Sequence, residues 1–195
     1  MELMMLKEIH LKRVDIISMM DIIQKILMVI RNKRRVENMN NEENRSNKIK
    51  ELKMKSKRKG IYIKLVNIIN NLEIESFISV EDTIVISKKV YKKLDTLINQ
   101  EEMEKDIESN LIKVASLKEK YKIFFNENAI LFHYEDRECG AIKIKVEDFF
   151  EHLADIAEFT KFKGGYRDLI LVDEDLKYGI CIERYEYFNK LAVWN

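Results

Sequence analysis

Four acidic residues recur at helical spacing in the last third of the chain, where they could form a binding surface for cations. Glu147, Glu151, Asp155 and Glu158 fall on one face of a predicted helix over residues 147–161. Like charges four residues apart destabilise a helix by roughly 0.2–0.5 kcal/mol per pair. The helix dipole compensates Glu147, which lies in the first turn, but not the other three. We interpret Glu151, Asp155 and Glu158 as contacts for a basic partner; the simpler alternative is a solvated helix face.

A second acidic cluster, Asp173, Glu174 and Asp175, lies in a predicted hairpin turn between the strand-like runs DLILV and GICIER. Residues 135–160 also carry eight acidic and three basic residues, a net charge of −5. Such a field steers and docks a basic protein by electrostatic complementarity, although solvation alone explains any single cluster. We therefore expect Asp173, Glu174 and Asp175 to lie at the margin of the partner surface.

Basic residues concentrate in the first third and define an alternative site, for nucleic acid. This site comprises Arg31, Lys33, Arg34, Arg35, Lys57, Arg58 and Lys59. Basic clusters bind phosphates without sequence specificity and with strong salt dependence. The segment lacks interleaved aromatic residues for base stacking, and no helix-turn-helix recognition helix is evident. Simple solubility, or an intramolecular contact with the acidic part of the chain, explains these residues equally well.

The histidines and cysteines do not form a recognisable catalytic or metal-binding motif. His10, His133 and His152 are scattered, and none belongs to an H-E-x-x-H or H-x-E zinc pattern. Cys139 and Cys181 do not form a C-x-x-C pair, so two structural thiols of a reduced protein are the simplest interpretation.

A magnesium site is the remaining enzymatic alternative, with Asp173 or Asp175 beside Glu183 on the adjoining strand. A nuclease site of this kind is expected to have a lysine two residues after Glu183, but the residue at that position is Tyr185. We therefore predict a protein without enzymatic activity, metal or cofactor.

The charge is nearly balanced overall and strongly unbalanced along the chain. Residues 1–64 carry 17 Lys/Arg and 8 Asp/Glu, a net +9, and residues 65–195 carry 18 and 26, a net −8. This asymmetry predicts a basic helical arm over residues 1–60 and an α+β body over residues 61–195. Charged residues interrupt the apolar N-terminus, which argues against a membrane span or signal peptide.

The apolar spacing places helices in the first two thirds of the chain. Residues 14–30 read as an amphipathic helix, and residues 31–60 as a solvated arm or exposed helix that ends at Gly60. A further helix is predicted to begin at Ser87 as N-cap, and another follows over residues 107–121.

The last third changes to a period of two, which indicates strands. The runs KIFF, AILFHYE and AIKIKV, the acidic helix and the DLILV/GICIER hairpin give a ββαββ unit. Tyr185–Trp194 is predicted to form a short docking helix. The fold class is therefore α+β, with a helical basic N-terminal part and a C-terminal antiparallel sheet of four to five strands packed with helices.

These observations favour a cytoplasmic inhibitor that binds a basic protein, such as a nuclease or other effector, and occludes it through the acidic surface. The class would be immunity, antitoxin or anti-defence, and the Ile, Lys and Asn content is typical of an AT-rich bacterial or phage genome. The alternative is a nucleic-acid-binding regulator that uses the basic arm. A third possibility is a homo-oligomer in which the basic arm of one subunit packs on the acidic body of another.

Overall fold

The computed structural model describes residues 28, 31, 33, 42–69 and 72–195. Apart from Met28, the predicted helix over residues 14–30 lies outside the described residues. The chain divides into two compact units, Met1–Leu52 and Lys53–Asn195. The boundary between these units falls after residue 52. The boundary expected from the sequence, after residue 60, stays a prediction.

Helix α1 (residues 42–66) continues through Gly60, so the prediction that Gly60 ends the helix is wrong. A Cβ at Gly60 would meet no atom within 4 Å, and glycine costs only about 1 kcal/mol relative to alanine inside a helix. Ile61 and Leu65 follow one turn apart, and both are buried in the core. Their burial outweighs the cost of the glycine.

Helix α2 (Val80–Thr96) begins seven residues before the N-cap that the sequence analysis assigned to Ser87. The N-cap is Ser79, whose Oγ accepts a hydrogen bond from the backbone N–H of Asp82 at 2.9 Å. Ser87 therefore lies in the interior of α2, and the run TIVIS is helical.

The remaining elements alternate short helices with short strands. The helices are α3 (Ile107–Ala115), α4 (Lys118–Tyr121), α5 (Asp136–Cys139), α6 (Val146–Glu151) and α7 (Leu153–Phe159). The strands are β1 (Gln100–Met103), β2 (Asn128–Leu131), β3 (Ile142–Lys145), β4 (Leu169–Val172), β5 (Gly179–Arg184) and β6 (Asn189–Trp194). The described residues also include two 3₁₀ turns, Ile74–Ser76 and Lys122–Phe124, and the second replaces the strand predicted for KIFF.

The strands form one antiparallel sheet in the order β1-β6-β5-β4-β2-β3, which confirms the α+β class. Within the described part of the chain the sheet has six strands rather than four or five. The helix predicted over Tyr185–Trp194 is wrong, because β6 occupies this segment and pairs with β5 on one side and β1 on the other. Leu191 faces one side of the sheet while Ala192 and Trp194 belong to the core on the other side.

Helices cover both faces of the sheet. On one face α2 packs Ile86, Val90 and Leu94 against sheet residues that include Ile170 and Val172. The other face carries α3, α6, α7 and the last turns of α1. Among the described residues, no helix has both the length and the apolar character needed to cross a lipid bilayer.

The two ends of the sheet are used below as landmarks. The hairpin end is where β4 runs into β5, with Val172 paired to Gly179. The opposite end, where β4 begins at Leu169 and β5 finishes at Arg184, is called the far end.

Candidate functional site

The acidic stripe lies on α6 and α7, which form one nearly continuous helical segment interrupted at His152. That residue has φ −114° and ψ 25°, outside the helical region. The segment leaves the sheet at the hairpin end, directly after Lys145, and the chain returns into β4 at the far end. Burial of its inner side chains, Phe149, Leu153 and Ile156 among them, anchors it to the core.

Glu151, Asp155 and Glu158 are exposed on the outer side of this segment, as their spacing predicts. None of the three carboxylates lies within 4.0 Å of a cationic nitrogen of any described residue. Asp148 is half-buried, and this burial raises the pKa of its carboxyl group. The exposed acidic face therefore consists of Glu151, Asp155 and Glu158.

The structure adds two lysines that the sequence analysis did not connect with this face. Lys64 of α1 and Lys161 line the same groove as Asp155 and Glu158. Lys64 donates a hydrogen bond to the Tyr134 hydroxyl at 2.8 Å, and both ammonium groups lie within 6 Å of the Tyr134 ring centre. The sequence did contain a signal for Lys161, because its i,i+3 spacing from Glu158 places the two side chains near each other on a helix. Lys64 could not be identified in advance, because it is almost a hundred positions away in sequence.

The hairpin acids have intramolecular partners. Asp173 Oδ2 accepts the backbone N–H groups of Asp175 and Lys177, both at 3.1 Å, and so stabilises the turn. Glu174 pairs with Lys143 at 2.6 Å, and Asp175 pairs with Lys177 at 3.0 Å. These contacts give each acid a local structural role.

The hairpin acids also lie apart from the end of the acidic stripe. Asp173 follows β4 at the hairpin end, where α6 begins. Glu158 lies near the end of α7, from which the chain continues to the far end. The residues of the magnesium alternative do not come together. The hairpin acids lie beside Gly179, whereas Glu183 is four residues further along β5, roughly 13 Å away. Among the described residues, no three His, Cys, Asp or Glu side chains converge as metal ligands.

The predicted nucleic-acid residues have different surroundings. Arg31 and Lys33 are helical and exposed, Lys59 is exposed on α1, and Arg34 and Arg35 lie outside the described residues.

Lys57 and Arg58, by contrast, bind the body. Lys57 pairs with Glu138 at 2.7 Å, and this hydrogen bond raises the pKa of the lysine. The Arg58 guanidinium donates to the carbonyl oxygens of Cys139 at 2.7 Å and Ile78 at 2.8 Å. These two residues make the intramolecular contact with the acidic body that the sequence left open.

The central histidine and both cysteines have structural surroundings. His133 is buried, its Nδ1 accepts the Glu135 backbone N–H at 3.2 Å, and Nε2 therefore donates to Gly140 O at 2.9 Å. Burial lowers the pKa of His133 to about 4 and raises the pKa of Cys139 to about 11. Cys181 is fully buried in the sheet, which raises the pKa of its thiol. At neutral pH all three are uncharged, and their geometry provides neither a free base nor a thiolate.

Comparison with curated proteins and with solved structures finds no match. A family model described as YxiF protein matches residues 61–194. The matched range includes the whole sheet, α2 to α7 and the acidic face, and it covers more than half of the chain. The chain therefore belongs to the YxiF family.

Proposed function

We propose that this protein is a non-enzymatic, cytoplasmic inhibitor of the immunity, antitoxin or anti-defence type, which captures a basic protein partner such as a nuclease. The exposed acidic face of Glu151, Asp155 and Glu158 carries the proposal, because its carboxylates have no cationic partner among the described residues. The face is presented by helices whose inner sides are anchored in the core, so its geometry is set before binding.

Electrostatics gives this surface a defined mode of action. Acids that repel one another in the free protein lose that repulsion when cations from a partner lie between them. Lys64 and Lys161 border the face beside Asp155 and Glu158, so the partner's basic groups dock mainly over Glu151 and the outer sides of the other two. Exposed pairs of this kind contribute roughly 0.2–1 kcal/mol each and raise the association rate, and both effects weaken with salt.

The test is affinity capture from cells that encode the protein, followed by titration of the recovered partner at several salt concentrations. One variant combines Glu151→Lys, Asp155→Lys and Glu158→Lys. The control combines Glu73→Lys, Glu104→Lys and Glu186→Lys, which are also exposed and change the net charge by the same amount. We expect a basic partner to bind the wild type and the control in a salt-sensitive manner, and the first variant to lose it without a change in thermal unfolding. Equal capture by both variants would contradict the assignment of this surface.

The nucleic-acid-binding regulator remains the alternative, because Arg31 and Lys33, two of its predicted residues, are exposed. Titration with duplex DNA or RNA tests it, with Arg31, Lys33, Arg34 and Arg35 replaced by Gln. These four are preferable to a deletion through residue 59, which would also remove the contacts of Arg58. Salt-sensitive binding that the replacement weakens would favour the alternative. Light scattering at low and high salt identifies self-association without a foreign partner.

A further inference from the structure

A cavity of about 300 Å³ opens at the far end of the sheet, between α2 and the segments that follow β2 and precede β4. Its floor is apolar, formed by the buried side chains of Phe132 and Ile170, and Ile84 of α2 lines its wall. This volume is at the lower limit of small-molecule pockets. The cavity lies on the side of the sheet that α2 covers. The acidic face belongs to α6 and α7, which cover the other side.

Three cationic side chains line the cavity. Lys88 and Arg137 are exposed, and neither has an ion pair within 4.0 Å among the described residues. The Arg167 Nη2 donates to Tyr134 O at 3.1 Å and lies 3.7 Å from Asp136 Oδ1. Most of the positive charge and most of the N–H donors of this cluster are therefore available to a ligand.

One carboxylate oxygen that lines the cavity lacks a hydrogen-bond donor. Asp136 is only 4% exposed, and its Oδ1 has no hydrogen-bond partner, since 3.7 Å from Arg167 is too long for one. Burial raises the pKa of Asp136. A buried acceptor without a donor is costly, and in native proteins such a group normally has a protein, water or ligand partner.

The second carboxylate is already engaged. Asp168 Oδ2 accepts the Tyr91 hydroxyl at 2.9 Å, and Oδ1 accepts the Arg184 backbone N–H at 2.9 Å. The cavity thus offers three cations, an apolar floor and a free acceptor at Asp136 Oδ1.

We propose that this cavity binds a small organic anion, a carboxylate or a phosphate monoester carried on a flat apolar ring. The ring lies on Phe132 and Ile170, and the anionic group lies among Lys88, Arg137 and Arg167. A hydroxyl or amino group on the ring donates to Asp136 Oδ1. Bidentate recognition of carboxylate and phosphate is the usual role of arginine, which supports this choice of ligand.

The experiment titrates the full chain with simple probes and follows the methyl resonances of Ile84 and Ile170 by NMR. Benzoate and phenyl phosphate join a ring to an anion and distinguish carboxylate from phosphate ligands. Acetate and inorganic phosphate lack the ring, and phenol lacks the anionic group. A ligand of about ten non-hydrogen atoms is expected to bind in the millimolar range. We expect the joined probes to bind about tenfold or more tightly than the halves, because both parts of the cavity are then filled. Absence of binding by both joined probes at about 10 mM would overturn the proposal.

Variants assign the contacts. Lys88→Gln and Arg137→Gln are exposed and should leave folding intact while weakening benzoate or phenyl phosphate severalfold. Lys92→Gln is the matched control, because Lys92 is an exposed lysine of α2 that does not line the cavity. Equal affinities for all three variants and the wild type would overturn the assigned anion site. Tighter binding of 4-hydroxybenzoate than of benzoate supports the role of Asp136, and equal binding of the two would overturn that role.

Discussion

Individual residues in the connection between β2 and β3 join three separate segments of the chain. Gly140 has φ +88°, and a Cβ there would lie 2.1 Å from Ile78 O. The Gly140 carbonyl oxygen accepts from His133, while Arg58 donates to the neighbouring carbonyl of Cys139. The connection depends on glycine both for its backbone conformation and for the close approach of Ile78.

Gly140→Ala should therefore lower the free energy of unfolding by about 2–3 kcal/mol or more, because the new methyl group displaces a backbone carbonyl. Gly60→Ala is the matched control, since Gly60 lies in a helix with open space around it. We expect this second change to stabilise the protein by about 0.5–1 kcal/mol. Denaturant unfolding of both variants measures the difference. A Gly140→Ala protein as stable as the wild type would show that the connection is not constrained in this way.

At the scale of elements, the beginning of α2 shows how a local cap overrides apolar spacing. The spacing of Val90 and Leu94 is helical from Ser87 onward, but it does not indicate how far the helix extends towards the N-terminus. Ser79 caps the helix, and α2 gains two turns that place Thr83 and Ile86 against the sheet. Thr83 Oγ1 then accepts the Ala141 backbone N–H at 2.8 Å, which ties α2 to the segment before β3.

Two serine substitutions distinguish the two possible starts of α2. Ser79→Ala should lower the free energy of unfolding by about 1 kcal/mol, because the Asp82 N–H loses its acceptor. Ser87→Ala should change it little or raise it slightly, since alanine is the better residue inside a helix. Thermal or denaturant unfolding provides the measurement. The reverse order of effects would place the N-cap at Ser87.

At the scale of the whole molecule, the charge asymmetry does not coincide with the structural division. The basic first third of the chain extends through residue 64, whereas the second compact unit begins at Lys53. Residues 53–64 of the basic sequence therefore belong to the second compact unit. Lys57 neutralises Glu138, and Arg58 binds two backbone carbonyls and stacks over Phe77 at 5.4 Å from the ring centre.

Neighbouring cations in α1 should accordingly differ in their effect on folding. Arg58→Gln is expected to lower the free energy of unfolding by about 2 kcal/mol, because two carbonyl oxygens lose a charged donor. Lys59→Gln, at an exposed position, should stay within about 0.5 kcal/mol of the wild type. Both remove one positive charge, so a nucleic-acid site that depends on charge alone would be weakened equally by the two. Equal stability of the two variants would contradict the structural role of Arg58.

Local pattern was sufficient where burial and periodicity agree. The alternation of Ile142 and Ile144 with lysines predicted β3, and the turn residues at Asp173 predicted the β4–β5 hairpin. The helical spacing placed Glu151, Asp155 and Glu158 together on an exposed face. These features depend on near neighbours, so the sequence alone determines them.

Tertiary contacts decided the rest. Phe188, Leu191 and Trp194 have a spacing that suits a helix, but pairing with strands on both sides makes that segment the strand β6. Lys64 beside the acidic face and the three cations around the cavity come from segments distant in sequence. No local pattern relates such segments, because only burial of both sheet faces brings them together.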